Sequence, residues 1–265
     1  MPAQDVETLT VEPVARRGDA RALDTALLIV GLIALWQVGA VILGKDALPS
    51  PLATVTKLAA IMSDEDFPRH AWETARAFLT ALVISLAAGL LIGLALGARR
   101  LAGEVAEPML TALYSIPKIT LYPVILLLFG LGISAKIAFG VIHGIIPVIL
   151  FTMNAVRNIR TVYLRSARAM RLTVAQTAGT IIIPAALPEI VSGFRIGFAL
   201  TLLGTLIGEM FASQRGIGYM LVKAMETGDT ATVMSLALLL VVLATTASAA
   251  LLALDRRLRR HAIAS

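Results

Sequence analysis

Few side chains in this 265-residue chain could do chemistry, and they lie where charge is expensive. Lys118 sits between Pro117 and Pro123 in SIPKITLYP, 14 residues into an otherwise apolar run that begins near Glu104. That is roughly 21 Å along a helix rising 1.5 Å per residue. An ionisable group at membrane depth is by default a candidate for a solute or ion path. Lys118 either lines such a path and attracts an anion, or is paired with a carboxylate or with carbonyls freed by the prolines. Pro117 and Pro123 break the helical ladder, which membrane proteins tolerate where protein or a water-filled cavity satisfies the freed groups. Arg195 is expected to be structural, paired with Glu104 or Glu107. Glu209 is read as a snorkelling carboxylate near the end of its run, and Met210 and Phe211 beside it are candidates for a gate. His143, in an apolar helix, is read as a packing residue.

The other chemical feature is basic. Arg165–Pro188 (RSARAMRLTVAQTAGTIIIPAALP) is the most polar interior segment, with Arg165, Arg168 and Arg171 at helical spacing and Arg157 and Arg160 before them. If residues 157–171 form one helix, the five arginines share an arc of roughly 140°. Such a face either meets lipid headgroups or docks a soluble partner.

Several chemistries are missing. There is no phosphate-binding G-x-x-x-x-G-K-[ST], H-E-x-x-H, G-x-S-x-G or dinucleotide fingerprint. Cysteine is absent, and His70, His143 and His261 have no ligand spacing. The chain is therefore read as a non-enzyme that binds no cofactor or metal of its own.

The elements that hold these residues are apolar. Hydrophobic residues make up 58% and charged residues 15% of the chain, against about 25% charged in ordinary globular domains, and mean hydropathy is +0.85. The fold expected is all-α and polytopic, with transmembrane helices near 22–43, 74–97, 104–131, 135–156, 190–211 and 231–254. Residues 1–21 read as a tail, 22–260 as one transmembrane domain, 157–188 as a loop and 261–265 as a C-terminal tail. Ser50 and Pro51 signal the start of a short helix over 51–62, and a second short helix is expected within 214–227. Ala87, Ala88, Gly89, Gly93 and Gly97 let helices approach closely. With the N-terminus cytoplasmic, fourteen Lys and Arg fall on the cytoplasmic side and seven on the other. This bias favours both termini inside, so the net charge of +6 reports topology and not a nucleic-acid partner.

The basic segment resembles the cytoplasmic coupling loop of permease subunits of binding-protein-dependent ABC importers, in particular the sulfonate/taurine/nitrate group. That loop reads Glu-Ala-Ala-x-x-x-Gly, followed at a distance by Ile-x-Leu-Pro. Ile181, Ile183 and Pro184 are similar to its end, and Ala185–Pro188, Gly193, Phe194 and Arg195 continue the likeness. Glu209-Met210-Phe211 and Gly216–Tyr219 are similar to the group's downstream segment. Leu48–Pro51 and the 115–123 stretch are similar to its upstream landmarks. Two positions depart: Arg165 replaces the family's Glu and Arg171 its Gly, with Ser166 before the retained Ala167. A glycine there suits positive φ, which costs an arginine roughly 1–2 kcal/mol. The turn is therefore expected to be built differently or to move to a neighbour.

The resemblance implies a type I importer permease fold, with Arg165, Ser166, Ala167, Arg168, Ala169, Met170, Arg171 and Leu172 forming a coupling helix. It implies two ATP-binding subunits that use ATP and Mg, a second permease copy (a homodimer), and an external solute-binding protein. The place implied is the bacterial cytoplasmic (inner) membrane. Lys118, Pro117, Pro123, Glu209 and Met210 are then path candidates. Broken helices and intramembrane charges also suit an ATP-independent secondary transporter of a small solute. A membrane enzyme is the third alternative, opposed by the lack of a carboxylate or histidine cluster.

Overall fold

The computed structural model describes residues 17–264, and for residues 17–22, 174, 175, 212 and 254–264 the backbone alone. The tail assigned to residues 1–21 lies mostly outside this range. Its last residues belong to the first helix, α1 (Arg17–Leu43). Glycine and proline then set the boundaries. Gly44 takes positive φ after α1. Ser50 caps α2 (Pro51–Met62), its Oγ accepting from the Ala53 amide at 3.2 Å.

The core is three helices: α3 (Phe67–Gly97), α6 (Ile133–Arg157) and α9 (Ile183–Ala212). Small residues make their close packing possible. Gly89, Gly93 and Gly97 are buried on α3, and a Cβ at Gly93 would lie 2.8 Å from the Ile149 carbonyl of α6. Thr201 and Thr205 of α9 sit against Gly144 and Gly140 of α6 in the same way.

The third apolar run is not one straight helix. α4 (Arg100–Ser115) stops before Pro117, a 3-10 turn covers Lys118–Leu121, and α5 (Tyr122–Phe129) leaves with an 84° bend. Lys118 therefore lies at a break and not 21 Å along a continuous span. Among the described residues, five helical stretches are long and apolar enough to cross a membrane: Leu23–Leu43, Phe67–Gly97, Ile133–Arg157, Ala178–Phe211 and Thr230–Ala253. The bent pair makes six.

Two short helices mark opposite ends of the bundle. α7 (Thr161–Ala169) follows α6, and α8 (Val174–Thr177) leads through a π turn at Ala178–Ile182 into α9. Pro184 and Pro188, lacking amide hydrogens, account for irregular backbone at this entry. α10 (Ile217–Glu226) follows α9 at the other end. α11 (Thr230–Ala264) is the last described helix. α2 is fastened to its start by Ser235 Oγ donating to the Thr54 carbonyl at 2.9 Å.

Candidate functional site

The α10 end holds a buried polar cluster. Glu209 of α9 is 0% exposed and Lys136 of α6 is 1% exposed. Lys136 Nζ lies 3.1 Å from Glu73 Oε1 of α3 and 3.7 Å from Glu209 Oε1, and donates to the Arg215 carbonyl at 2.8 Å. The Thr74 hydroxyl lies 2.9 Å from both Glu209 oxygens and accepts from the Ile217 amide at 2.8 Å. The Gly218 amide donates to Glu209 Oε2 at 2.9 Å, and the Gly216 amide to His70 Nδ1 at 3.0 Å. Glu209 thus takes the positive end of α10 and one of its orphan amides. Gly216 is required twice over: its φ is +125°, and a side chain there would strike the Glu209 carboxylate.

This corrects the snorkelling assignment of Glu209. An ionised carboxylate cannot stay buried without compensation, and here an ammonium, a hydroxyl and an amide supply it. Glu209-Met210-Phe211 and Gly216–Tyr219, separate fragments in sequence, are two halves of one arrangement. Nothing in the local sequence singles out Lys136, Glu73, Thr74 or His70 as site residues. The available signal was that buried charges come in opposite-sign sets: Lys136, Glu73 and Glu209 are among the ionisable groups near the corresponding ends of three core helices. Met210 is half-buried, while Phe211 packs on the Tyr122 ring at 5.2 Å and its carbonyl accepts from Tyr122 Oη at 2.6 Å.

At the α4–α5 break, Lys118 Nζ donates to the Tyr114 carbonyl at 2.9 Å and sits 5.0 Å from the Tyr114 ring centroid. That carbonyl lost its helical partner when α4 ended, so Lys118 caps α4. Pro117 precedes the 3-10 turn and its carbonyl accepts from Thr120 Oγ1 at 2.8 Å. Pro123 occupies the first turn of α5, where a missing amide costs nothing. The structure does not bring Lys118 to Glu209. His143 Nδ1 lies 2.8 Å from the Phe139 carbonyl, in line with a packing role. Arg195 pairs with neither expected acid: Glu104 is held by Arg100 at 2.9 Å and Glu107 by Arg157 at 2.7 Å.

At the α7 end, the single helix expected over 157–171 is broken at residues 158–160. Arg157 belongs to α6, and Arg160 stacks 5.8 Å from the Tyr163 ring centroid, so the five arginines do not share one arc. Arg165 and Arg168 remain on α7 with Arg171 just beyond, all exposed, as are Ser166, Ala169 and Met170. Ala167 is 2% exposed and faces inward, and Leu172 is half-buried. Arg171 takes φ +54°, the sole positive φ at a non-glycine among the described residues. The Leu172 amide donates to the Ala167 carbonyl at 3.0 Å and the Arg171 amide to the Arg168 carbonyl at 3.0 Å. This is a Schellman cap, with arginine in the place glycine usually takes. The turn neither moved nor changed its build. Thr173 and Gln176 then cap α8 reciprocally, at 2.9 and 3.3 Å. Ile181 lies in the π turn, and Ile183 and Pro184 open α9.

A helical bundle with a broken span, a capped basic helix at one end and a locked loop at the other is a polytopic membrane architecture. Residues 85–260 match the binding-protein-dependent transport system inner membrane component family, and the chain belongs to that family. It is 28% identical over 242 residues to the taurine transport system permease protein TauC of Escherichia coli, covering 89% of this chain and 88% of that protein. It is 27% identical over 210 residues to the formylaminopyrimidine transport permease protein ThiX of Halalkalibacterium halodurans, covering 79% and 84%. A solved structure of the MetNI methionine ABC transporter in an inward-facing conformation shares the fold, with TM-score 0.61 at 24% identity over 72% of this chain and 94% of that one. The protein is therefore a multi-pass inner-membrane permease subunit of a binding-protein-dependent ABC importer of small solutes. ATP hydrolysis resides in a separate subunit, and this chain binds no cofactor itself.

Proposed function

We propose that α7 and its cap form the coupling element gripped by the ATPase subunits. Residues 165–172 carry it, and Ile181, Ile183 and Pro184 relay its motion into α9. The observation behind this is the exposed arginine face on a helix whose opposite side is anchored by Ala167 and closed by a two-bond cap. A rigid, outward-facing basic knob transmits a push, whereas a solvated loop would absorb it. The α7 end is then cytoplasmic, as are both termini, and the α10 end faces the external binding protein. Two copies of this chain form the path between them, with the α4–α5 break, Lys118, Pro117 and Pro123 lining it and Glu209 and Met210 near its outer mouth. Glu209 acts there as the lock on the α9–α10 turn.

The test is co-isolation of the ATPase subunit from native membranes in mild detergent, comparing the natural chain with Arg165→Glu/Arg168→Glu/Arg171→Glu. Loss of the ATPase from a mutant that still elutes as folded permease supports the assignment. Retention of the ATPase by that mutant sinks it. The mass of the intact complex tests the homodimer: two permease chains of one sequence are expected.

A further inference from the structure

α4, the first half of the broken span, is fastened to the bundle near its start. Among the described residues of α4, Gly103 alone is buried, while Leu101, Val105, Met109 and Leu113 are exposed. Gly103 marks the place where α4 meets α6: a Cβ there would lie 2.8 Å from Arg157 Cδ. One turn further on, Glu107 Oε2 accepts from Arg157 Nη1 at 2.7 Å. A single arginine thus holds α4 at two successive turns, its apolar stem on the glycine and its head on the acid. The Arg157 side chain is 21% exposed, so this pair is screened less than the surface pair of Arg100 with Glu104.

Arg157 is also the last residue of α6, and only residues 158–160 separate it from α7. An open groove of about 620 Å³ lies between α7 and α4, bounded by Leu164 of α7 and Ile182 of the π turn and by Arg100 and Glu104 of α4. α6, by contrast, carries buried residues along its whole length, down to Thr152, Met153 and Ala155. A close-packed interior transmits displacement, and an open groove does not. A push on α7 therefore reaches α4 by way of the end of α6, and Arg157 is the side chain that joins the two.

We infer that Arg157 is a positioning residue for transport, a strut that makes the α4–α5 break travel with the three-helix core when α7 is displaced. Holding Gly103 and Glu107, it carries the motion of α6 into the broken span. Without it the core moves and the break lags, so that ATP is turned over with less displacement of the path. This rests on the reading of α7 as the coupling element and of the break as part of the path.

The chain has no cysteine, so a bimane reporter can be placed on either side of the strut: at Val162→Cys on α7 or at Leu113→Cys on α4, both exposed positions. The complex assembled with its ATPase subunits in nanodiscs is compared at rest and after trapping with ATP, Mg and vanadate, and the emission maximum is followed. With the strut intact, both reporters are expected to shift on trapping. Arg157→Gln and Glu107→Ala should each leave the α7 shift in place and reduce the α4 shift by about half or more, with the double variant no worse than either single. The exchanged pair Arg157→Glu/Glu107→Arg should restore the α4 shift. A residue that merely held the fold would weaken both reporters and would not be rescued by exchange. An α4 shift that survives Arg157→Gln overturns the strut, as does one that is lost and not restored by exchange. An α4 reporter that stays silent with the strut intact overturns it too, while a shift at α7 leaves the coupling reading standing. An α7 reporter silent with the strut intact removes the coupling reading itself, and the strut with it.

Discussion

The two ends of the bundle use charge in opposite ways. At the α10 end, Glu209, Lys136 and Glu73 are drawn inside and satisfy one another. At the α7 end, Arg165, Arg168 and Arg171 are exposed and make no ion pair among the described residues, and the Arg100–Glu104 pair there lies on the surface. A buried charge set is costly to form and more costly to half-remove, so it fixes geometry. Exposed arginines contribute little to the fold and remain available to something else. The first end holds a turn in place; the second presents a handle.

The largest effect should come from breaking the lock. Glu209→Ala strips Lys136 of a counter-charge and leaves the Gly218 amide without an acceptor, the Thr74 hydroxyl keeping only the His70 carbonyl at 3.2 Å. A loss of about 3–5 kcal/mol is expected, read as a collapse in folded yield and thermal midpoint. Lys136→Gln should be damaging as well, and the pair Lys136→Gln/Glu209→Gln should cost less than the two singles added, with a coupling of about 0.5–3 kcal/mol. The triple arginine reversal at the α7 end should move the midpoint by little, about 0.5 kcal/mol per site. If both ends shift stability equally, the contrast between lock and handle fails.

A smaller effect is expected at the α2–α11 joint, also at the α10 end. Asp229 accepts from the Thr232 hydroxyl at 2.6 Å and amide at 3.0 Å, capping α11, and Lys57 lies 3.5 Å away. Those bonds hold its carboxyl below the ordinary value, with the Thr232 hydroxyl the leading cause. Asp229→Ala should cost about 1 kcal/mol. Because the folded pKa is depressed, this contribution is present above the unfolded value of about 3.9 and disappears as pH falls through the folded one. The natural and Asp229→Ala chains should therefore converge in stability on strong acidification. A constant difference down to that range would remove Asp229 from the account.

How much of this could be read from the chain depends on distance along it. The apolar runs are local and long, so helical spans, the Ser50 cap and the packing face at Gly89, Gly93 and Gly97 were visible. So was the interruption near Pro117 and Pro123, though its 84° bend was not, because proline specifies a break and not an angle. Thr74 and Glu209 are 135 residues apart, and no local pattern pairs them. The expected partners of Arg195 failed for a related reason: similar depth in the bundle does not imply contact, and Arg100 and Arg157 hold the two acids. The helix over 157–171 failed because helical spacing of arginines says nothing about a break at residues 158–160, where the α6 helix simply ends.

Arg171 is where sequence and geometry disagree most usefully. Its left-handed backbone costs an arginine about 1–2 kcal/mol, and glycine would relieve that while adding about 0.4–1 kcal/mol of unfolded-chain entropy. Arg171→Gly should therefore stabilise the cap slightly, with slower hydrogen exchange at the Leu172 amide that donates to Ala167. Arg171→Ala should do the reverse, since it keeps the Cβ and loses the charge. Both remove the same positive charge from the handle. ATPase association that falls equally in the two variants says that the partner reads charge at this position, and that the strain is retained for it. Association that survives Arg171→Gly but falls with Arg171→Ala says that the partner reads the shape of the turn, leaving Arg165 and Arg168 as the charges that matter.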